Sequence, residues 1–365
     1  MFVITNRVVR EGSNDLDAFG KEPNPSGPNE LRLVEVTWAG SQFKVNVLKD
    51  KLSRSEARAL SDTHNLKLDL GQDWYASLRV ACTLFERAVR EQKHILLFVH
   101  GYNNDIEDVL ITAEMLEKLY RVIVVPFSWP ANGGGKVSGT TAYLSDKDDA
   151  RSSATALHRA VQKVHFYHRV LTDGLKDKLW SKAQKAFPDN GERARAMFTR
   201  LIDKECRTTL NLMCHSMGNY VLKYASRPGN SSLRSLVFDN IGLVAADANN
   251  PGHEGWVQNL PVRNRLCVVI NENDSALGWS RRKPGDEQLE RLGAHLRNLV
   301  ARNAYYIDVT RNRGVGGEHS YFKGEPVEDN RTLRRMFQRL LEGAKVEDTL
   351  TYHADINVYR SSGPR

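Results

Sequence analysis

Apolar positions along this chain follow two alternating patterns, and together they predict a sheet covered by helices. Residues 94–100, 121–128, 209–213, 236–246 and 265–270 are short, nearly continuous apolar runs rich in β-formers. Runs of this kind read as strands buried on both faces. Between the first two, residues 105–120 place Ile106, Val109, Leu110, Ala113, Leu116 and Leu119 along one helical face. Strand, helix and strand in this order predict a right-handed crossover and a parallel sheet. Further helices are expected over 53–60, 73–92, 148–170, 286–300 and 329–344. In the last of these Leu333, Met336, Phe337, Leu340 and Leu341 share a face. Residues 305–310 are expected as the last strand.

The N-terminal part reads differently. Runs at 2–9, 31–38 and 43–47 are strand-like, and residues 11–30, rich in Gly, Pro, Asn and Asp, read as a loop. An antiparallel meander at the sheet edge fits. Gly133, Gly134 and Gly135 mark 131–140 as a flexible loop. Residues 171–205 are polar but carry Trp180, Phe187, Met197, Phe198, Leu201 and Ile202 at helical intervals. They read as a helical insertion placed like a cap before the next strand. The expected fold class is therefore α/β, with one domain over 1–365. Within it, 1–93 hold N-terminal strands and helices, and 171–205 form the cap-like insertion.

Composition narrows the class. Hydrophobic residues make up 41% and charged ones 26% of 365, which suits a globular core. No apolar run is long enough to span a bilayer, and the N-terminus lacks the features of a signal peptide, so a cytoplasmic location is expected. Cys82, Cys206, Cys214 and Cys267 show no metal or redox spacing and read as reduced thiols. The net charge is +8 and the pI near 9.2, but the basic residues are dispersed among acidic ones. A solvated surface follows, with no specific nucleic-acid partner expected; peripheral contact with an anionic membrane is the alternative. Zinc spacings, phosphate loops and dinucleotide fingerprints are missing from the sequence, so no metal or organic cofactor is expected.

One stretch carries chemistry. Cys214-His215-Ser216-Met217-Gly218 lies between a strand-like run and a helical pattern, as a nucleophile elbow does. A sharp turn there exposes the Ser216 hydroxyl, and small neighbours let strand and helix approach. Cys214 stands where Gly is usual. The N–H of Met217 would face a developing oxyanion at the helix start. A serine needs a base, and the base needs an anion. His319, in a Gly-rich loop after the 305–310 strand, is the expected base, and Asp274, after the 265–270 strand, the expected acid. Asp247, which also ends a strand, is the competing acid. His215 is expected to point away from this rim. The loop after the 94–99 strand supplies His100, Gly101 and Tyr102. Gly101 allows close approach, the Tyr102 N–H is the second oxyanion donor, and His100 is a supporting donor.

These blocks resemble a known family. Phe98 to Asn104, Phe127 to Pro130, Tyr143 to Asp146 with Ala150, His215 to Asn219, Asn273 to Leu277, and His319 to Phe322 are similar, in that order, to the α/β-hydrolase family known as domain of unknown function 900. The resemblance covers about residues 94–322. It implies an α/β-hydrolase fold with Ser216, Asp274 and His319 as a triad, Gly218 in the elbow, and Tyr143 and Asp146 near the site. The expected activity is cleavage of a carboxylic ester or related acyl bond through an acyl-enzyme, with a small acyl ester or a lipid as substrate. A lipase or acyltransferase acting on membrane lipid, and a non-catalytic binding or signalling module, are the alternatives.

Overall fold

The computed structural model describes residues 1–365 except 41, 132–139, 206, 228–235, 284–287 and 362–365. The chain divides into two compact units. One comprises Met1–Val47, His94–Val161 and Thr209–Arg365; the other comprises Leu48–Lys93 and Gln162–Thr208.

The larger unit is built on an eleven-stranded sheet. Its strands are β1 (Phe2–Thr5), β4 (Arg32–Ala39), β5 (Gln42–Val47), β6 (His94–Val99), β7 (Val122–Ser128), β8 (Leu210–His215), β9 (Asn240–Val244), β10 (Arg265–Ile270), β11 (Ala304–Asp308), β12 (Leu350–His353) and β13 (Val358–Ser361). The spatial order is β12-β13-β11-β10-β9-β8-β6-β7-β1-β4-β5. From β1 through β7, β6, β8, β9, β10 and β11 to β13 every pairing is parallel. The β1–β4, β4–β5 and β12–β13 pairs at the edges are antiparallel. This is an α/β fold with the expected antiparallel N-terminal edge. Strands β7, β8 and β9 are buried at every residue, which is why they read as continuous apolar runs.

Helices of this unit are α3 (Ile106–Leu119), α4 (Thr140–Ser152), α7 (Gly218–Ala225), α8 (Glu254–Val257), α9 (Ser275–Arg281), α10 (Glu325–Glu328) and α11 (Arg331–Leu341), with the start of α5 (Ala154–Ala186). Asp105 and Asp108 form a capping box that starts α3. Asn330 caps α11, whose Leu333, Met336, Phe337, Leu340 and Leu341 are buried as their spacing predicts. They join Leu96, Phe98, Val269 and Ile307 in one core.

The smaller unit consists of α1 (Arg54–His64), α2 (Ala76–Glu91), the remainder of α5 and α6 (Gly191–Glu205). Ala57, Leu66, Trp74, Leu78 and Cys82 pack there with Tyr167 and Leu171. Residues 171–205 are helical, as expected, in α5 and α6.

Four expectations are corrected. Residues 11–30 are not all loop: a 3-10 turn at Leu16–Ala18 leads into β3 (Phe19–Pro23), which pairs with β2 (Arg7–Val9) in a separate ribbon with a register shift. The helix expected over 148–170 is two helices, α4 and the much longer α5. No helix spans 286–300: its described part holds a 3-10 turn, Leu292–Ala294. Leu292 and Gly293 donate to the carbonyls of Ala248 and Ala246, so their backbone bonds go to the segment that follows β9 instead of along a helix. Residues 305–310 do not form the last strand, because β12 and β13 follow and β13 pairs with β11. The glycine loop expected at 131–140 falls outside the described residues at 132–139. Cys82, Cys214 and Cys267 are buried free thiols; Cys206 is outside the described residues.

Candidate active site

Strand β8 delivers a sharp turn at Ser216, whose φ of 52° lies in the left-handed region. A non-glycine residue held there costs about 1–3 kcal/mol, so the surroundings must enforce it. The Ser216 N–H donates to the Val244 carbonyl at 3.1 Å, and the Ser216 carbonyl accepts from the Asp247 N–H at 3.1 Å. Asn219, fully buried on α7, donates its amide to the carbonyls of Cys214, Ser216 and Val244. A Cβ on Gly218 would lie 2.5 Å from the Val99 carbonyl oxygen, and one on Gly101 would lie 2.7 Å from Ser216 Cβ. Both glycines therefore set how closely the β6 loop and the elbow approach. Burial pushes the Cys214 thiol well up, so it is an inert core residue.

His319 Nδ1 donates to Asp274 Oδ2 at 2.7 Å. The other oxygen, Oδ1, accepts from the Leu277 N–H at 3.0 Å, so Asp274 also caps α9 and its carboxylate is held at both ends. Ser216 and His319 line one pocket of about 100 Å³ together with Phe98, Gly101, Tyr102, Asn104, Thr112, His215, Ser320, Phe322 and Lys323. No hydrogen bond joins the Ser216 hydroxyl to the His319 ring in this arrangement. Such bonds are often formed only once substrate is bound.

His215 departs from expectation. It does not point away: it lines the same pocket, with its ring centroid 4.6 Å from that of His319. Its Nε2 donates to the His319 carbonyl at 3.1 Å. Burial, then the neighbouring His319, holds its pKa well below the ordinary value, so it stays neutral. It holds the backbone of His319.

Asp247 lies elsewhere. It forms a buried ion pair with Arg291, Nε to Oδ1 at 3.0 Å. Tyr143 donates to its Oδ2 at 3.1 Å and Ser280 to its Oδ1 at 2.6 Å. Arg291 also donates to Asn249, to Gln288 and to the Tyr143 hydroxyl. Tyr143 thus belongs to the Asp247 cluster, and burial raises its phenol pKa. Its ring meets that of Tyr102 edge-on at 5.5 Å.

The loop after β6 is tied down from several sides. His100 Nε2 accepts from the Trp129 N–H at 3.2 Å, so its Nδ1 carries the proton and donates to the Gly101 carbonyl at 2.9 Å. Burial pulls the His100 pKa down to about 3, which keeps it neutral and stacked on Trp129. Asp146, three residues after Tyr143 on the same face of α4, accepts from the Asn103 N–H at 3.2 Å. The Asn104 side chain donates to the Tyr102 carbonyl at 2.6 Å. Among the described residues the Met217 N–H makes no hydrogen bond, and Tyr102 lines the pocket.

Arg7 escaped the sequence reading. It is 1% exposed, and its guanidinium donates to Ser128 Oγ, to the Ala131 carbonyl and to the Asn104 carbonyl. Burial lowers its pKa to about 10, against the raising effect of Asp146. The signal was available: Asn6 and Arg7 interrupt an otherwise apolar strand run. Asn219 was equally legible only by its place one turn after the elbow.

No helix among the described residues is long and apolar enough to cross a membrane. No curated protein matches the chain. A family match covers residues 81–170, from within α2 through β6, α3, β7 and α4 into α5. It includes His100, Gly101, Tyr102, Tyr143 and Asp146 and ends before Ser216, so it does not reach Ser216, Asp274 or His319. The match supports hydrolysis as the class of activity. With its largely parallel sheet, the chain is an α/β protein whose residues 81–170 match the family described as alpha/beta hydrolase of unknown function.

Proposed function

We propose that this protein is a serine hydrolase that cleaves a carboxylic ester through an acyl-enzyme. The observation that carries the reading is the pairing of a strained Ser216 with an Asp274-bound His319 in one pocket. As the Ser216 hydroxyl attacks the ester carbonyl, its proton passes to His319 Nε2. The Nδ1 proton stays hydrogen-bonded to Asp274, whose charge stabilises the imidazolium. The carbonyl oxygen takes up the displaced electron pair, held by the Met217 and Tyr102 N–H groups. Collapse breaks the bond to the alcohol, which leaves with the proton from His319. Water then repeats the sequence, releasing the acid and restoring Ser216.

Labelling with a fluorophosphonate probe and mapping the modified peptide tests this. Modification is expected at Ser216, absent in Ser216→Ala and strongly slowed in His319→Ala. Labelling that persists unchanged in Ser216→Ala ends the proposal.

A further inference from the structure

The pocket beside Ser216 contains a cation that the proposed chemistry leaves without a task. Lys323 lies four residues beyond His319, and the Lys323 N–H bonds back to the Ser320 carbonyl, so one turn directs both side chains to the pocket. That turn is rigid. Tyr321 and Phe322 between them are fully buried, Tyr321 donates to the Val269 carbonyl at 3.0 Å, and the Phe322 carbonyl accepts from Tyr120 at 2.7 Å.

The ammonium of Lys323 donates to Thr112 Oγ1 at 2.7 Å. A lysine ammonium has three donors, so two remain after this bond. Among the described residues no carboxylate lies within ion-pair distance of it. Burial lowers its pKa and outweighs the raising effect of Asp108, whose carboxylate acts from beyond ion-pair distance. Its charge reaches the site, since it is among the groups that hold His215 neutral. A partly desolvated cation in the pocket of the nucleophile, hydrogen-bonded to one hydroxyl and reached by Asp108 only at longer range, is matched by an anion on the ligand.

We propose that Lys323 sets substrate specificity by binding a carboxylate carried on the ester. The inference rests on the serine-hydrolase reading. The carboxylate would sit on the acyl group or on the leaving group, and the test separates the two. Two pairs of esters of matched shape are compared. Phenyl hydrogen glutarate against phenyl pentanoate varies the acyl side, and 4-acetoxybenzoate against 4-acetoxybenzamide varies the leaving group. Each rate is corrected for that of Ser216→Ala protein.

One charged ester is expected to exceed its neutral partner by roughly tenfold or more in kcat/KM, chiefly through KM, as a charge-assisted hydrogen bond predicts. Lys323→Met and Lys323→Gln should lower kcat/KM of the charged ester far more than that of its neutral partner and so remove the preference, and Lys323→Arg should keep much of it. Equal rates within both pairs, or a preference that survives in Lys323→Met and Lys323→Gln, overturn the inference. Glutarate binding to Ser216→Ala protein, read as a rise in Tm that Lys323→Gln abolishes, checks the same site without turnover. Fluorophosphonate labelling of Ser216 reports on the hydrolase reading alone. Labelling without charge preference removes the Lys323 role; Lys323-dependent glutarate binding without labelling removes the hydrolase reading.

Discussion

Asp247 and Asp274 follow consecutive strands, β9 and β10, and both are buried, yet they have opposite kinds of partner. Asp247 is clamped by Arg291 and by the hydroxyls of Tyr143 and Ser280. Asp274 faces an imidazole on one oxygen and a backbone N–H on the other. Arginine keeps its charge at all working pH, so the Asp247 cluster is a permanent bond. Imidazole can accept a proton at one nitrogen while the other stays hydrogen-bonded, so the Asp274 pair can change state during a reaction. Position after a strand is shared; only the partner separates a structural carboxylate from one that can serve catalysis.

Substitutions can break this contrast. The largest expected effect is on rate. Ser216→Ala should lower ester hydrolysis by about 10⁴ to 10⁶, and Asp274→Asn by about 10⁴, measured as kcat on a phenyl ester. Asparagine can still cap α9 through its Oδ1, so the Tm of Asp274→Asn should stay close to wild type. Asp247→Asn should show the reverse. Leaving Arg291 buried without a counter-charge costs about 3–5 kcal/mol, visible in denaturant unfolding, while the folded fraction keeps its kcat. If Asp247→Asn loses rate and Asp274→Asn does not, the two roles are exchanged.

A similar contrast divides the histidines. His319 has a carboxylate partner, whereas His100 has only backbone partners. The folded pKa of His100, about 3, lies below its ordinary 6.5. Between these values the unfolded chain binds more protons, so stability rises with pH and is lost as pH falls from 6.5 toward 3. His215 acts in the same direction. Tm should therefore drop between about pH 7 and pH 5, and less steeply in His100→Asn, whose side chain does not titrate. The smallest effect is expected for Tyr143→Phe, which removes one hydroxyl from the Asp247 cluster. It should cost about 1 kcal/mol in unfolding and leave kcat nearly unchanged.

Much of the larger unit was legible along the chain. Strands β6, β7, β8 and β10 lie mid-sheet, and burial on both faces leaves an apolar run that nothing else produces. β12, β13 and β3 were not legible. They are short and pair at an edge or in a separate ribbon, where polar residues such as Thr351, Tyr352 and Lys21 are tolerated. The helix expected over 286–300 does not form among the described residues. Leu289 is 45% exposed, and the backbone at Leu292 and Gly293 bonds to the segment that follows β9. In the site, the Cys214–Gly218 turn was legible from its local motif and the Asp274–His319 pairing from the order of the strands that precede them. His215 was misplaced because its position at the end of β8 does not display that its ring packs against His319, a contact made across 104 residues.

Local chemistry determines the elements: apolar runs make strands, the 3.6 period makes α11, capping residues start α3 and α11, and small residues permit the turn at Ser216. These depend on neighbours in sequence, and a linear chain displays them. Which carboxylate meets the imidazole, where Arg7 and Asp146 grip the loop after β6, and that Lys323 shares a pocket with Ser216 are of another kind. Each joins residues tens or hundreds of positions apart. No residue type announces such a partner, because a buried charge is stable only where distant segments bring it a counter-charge or a hydrogen bond, and that is decided by packing.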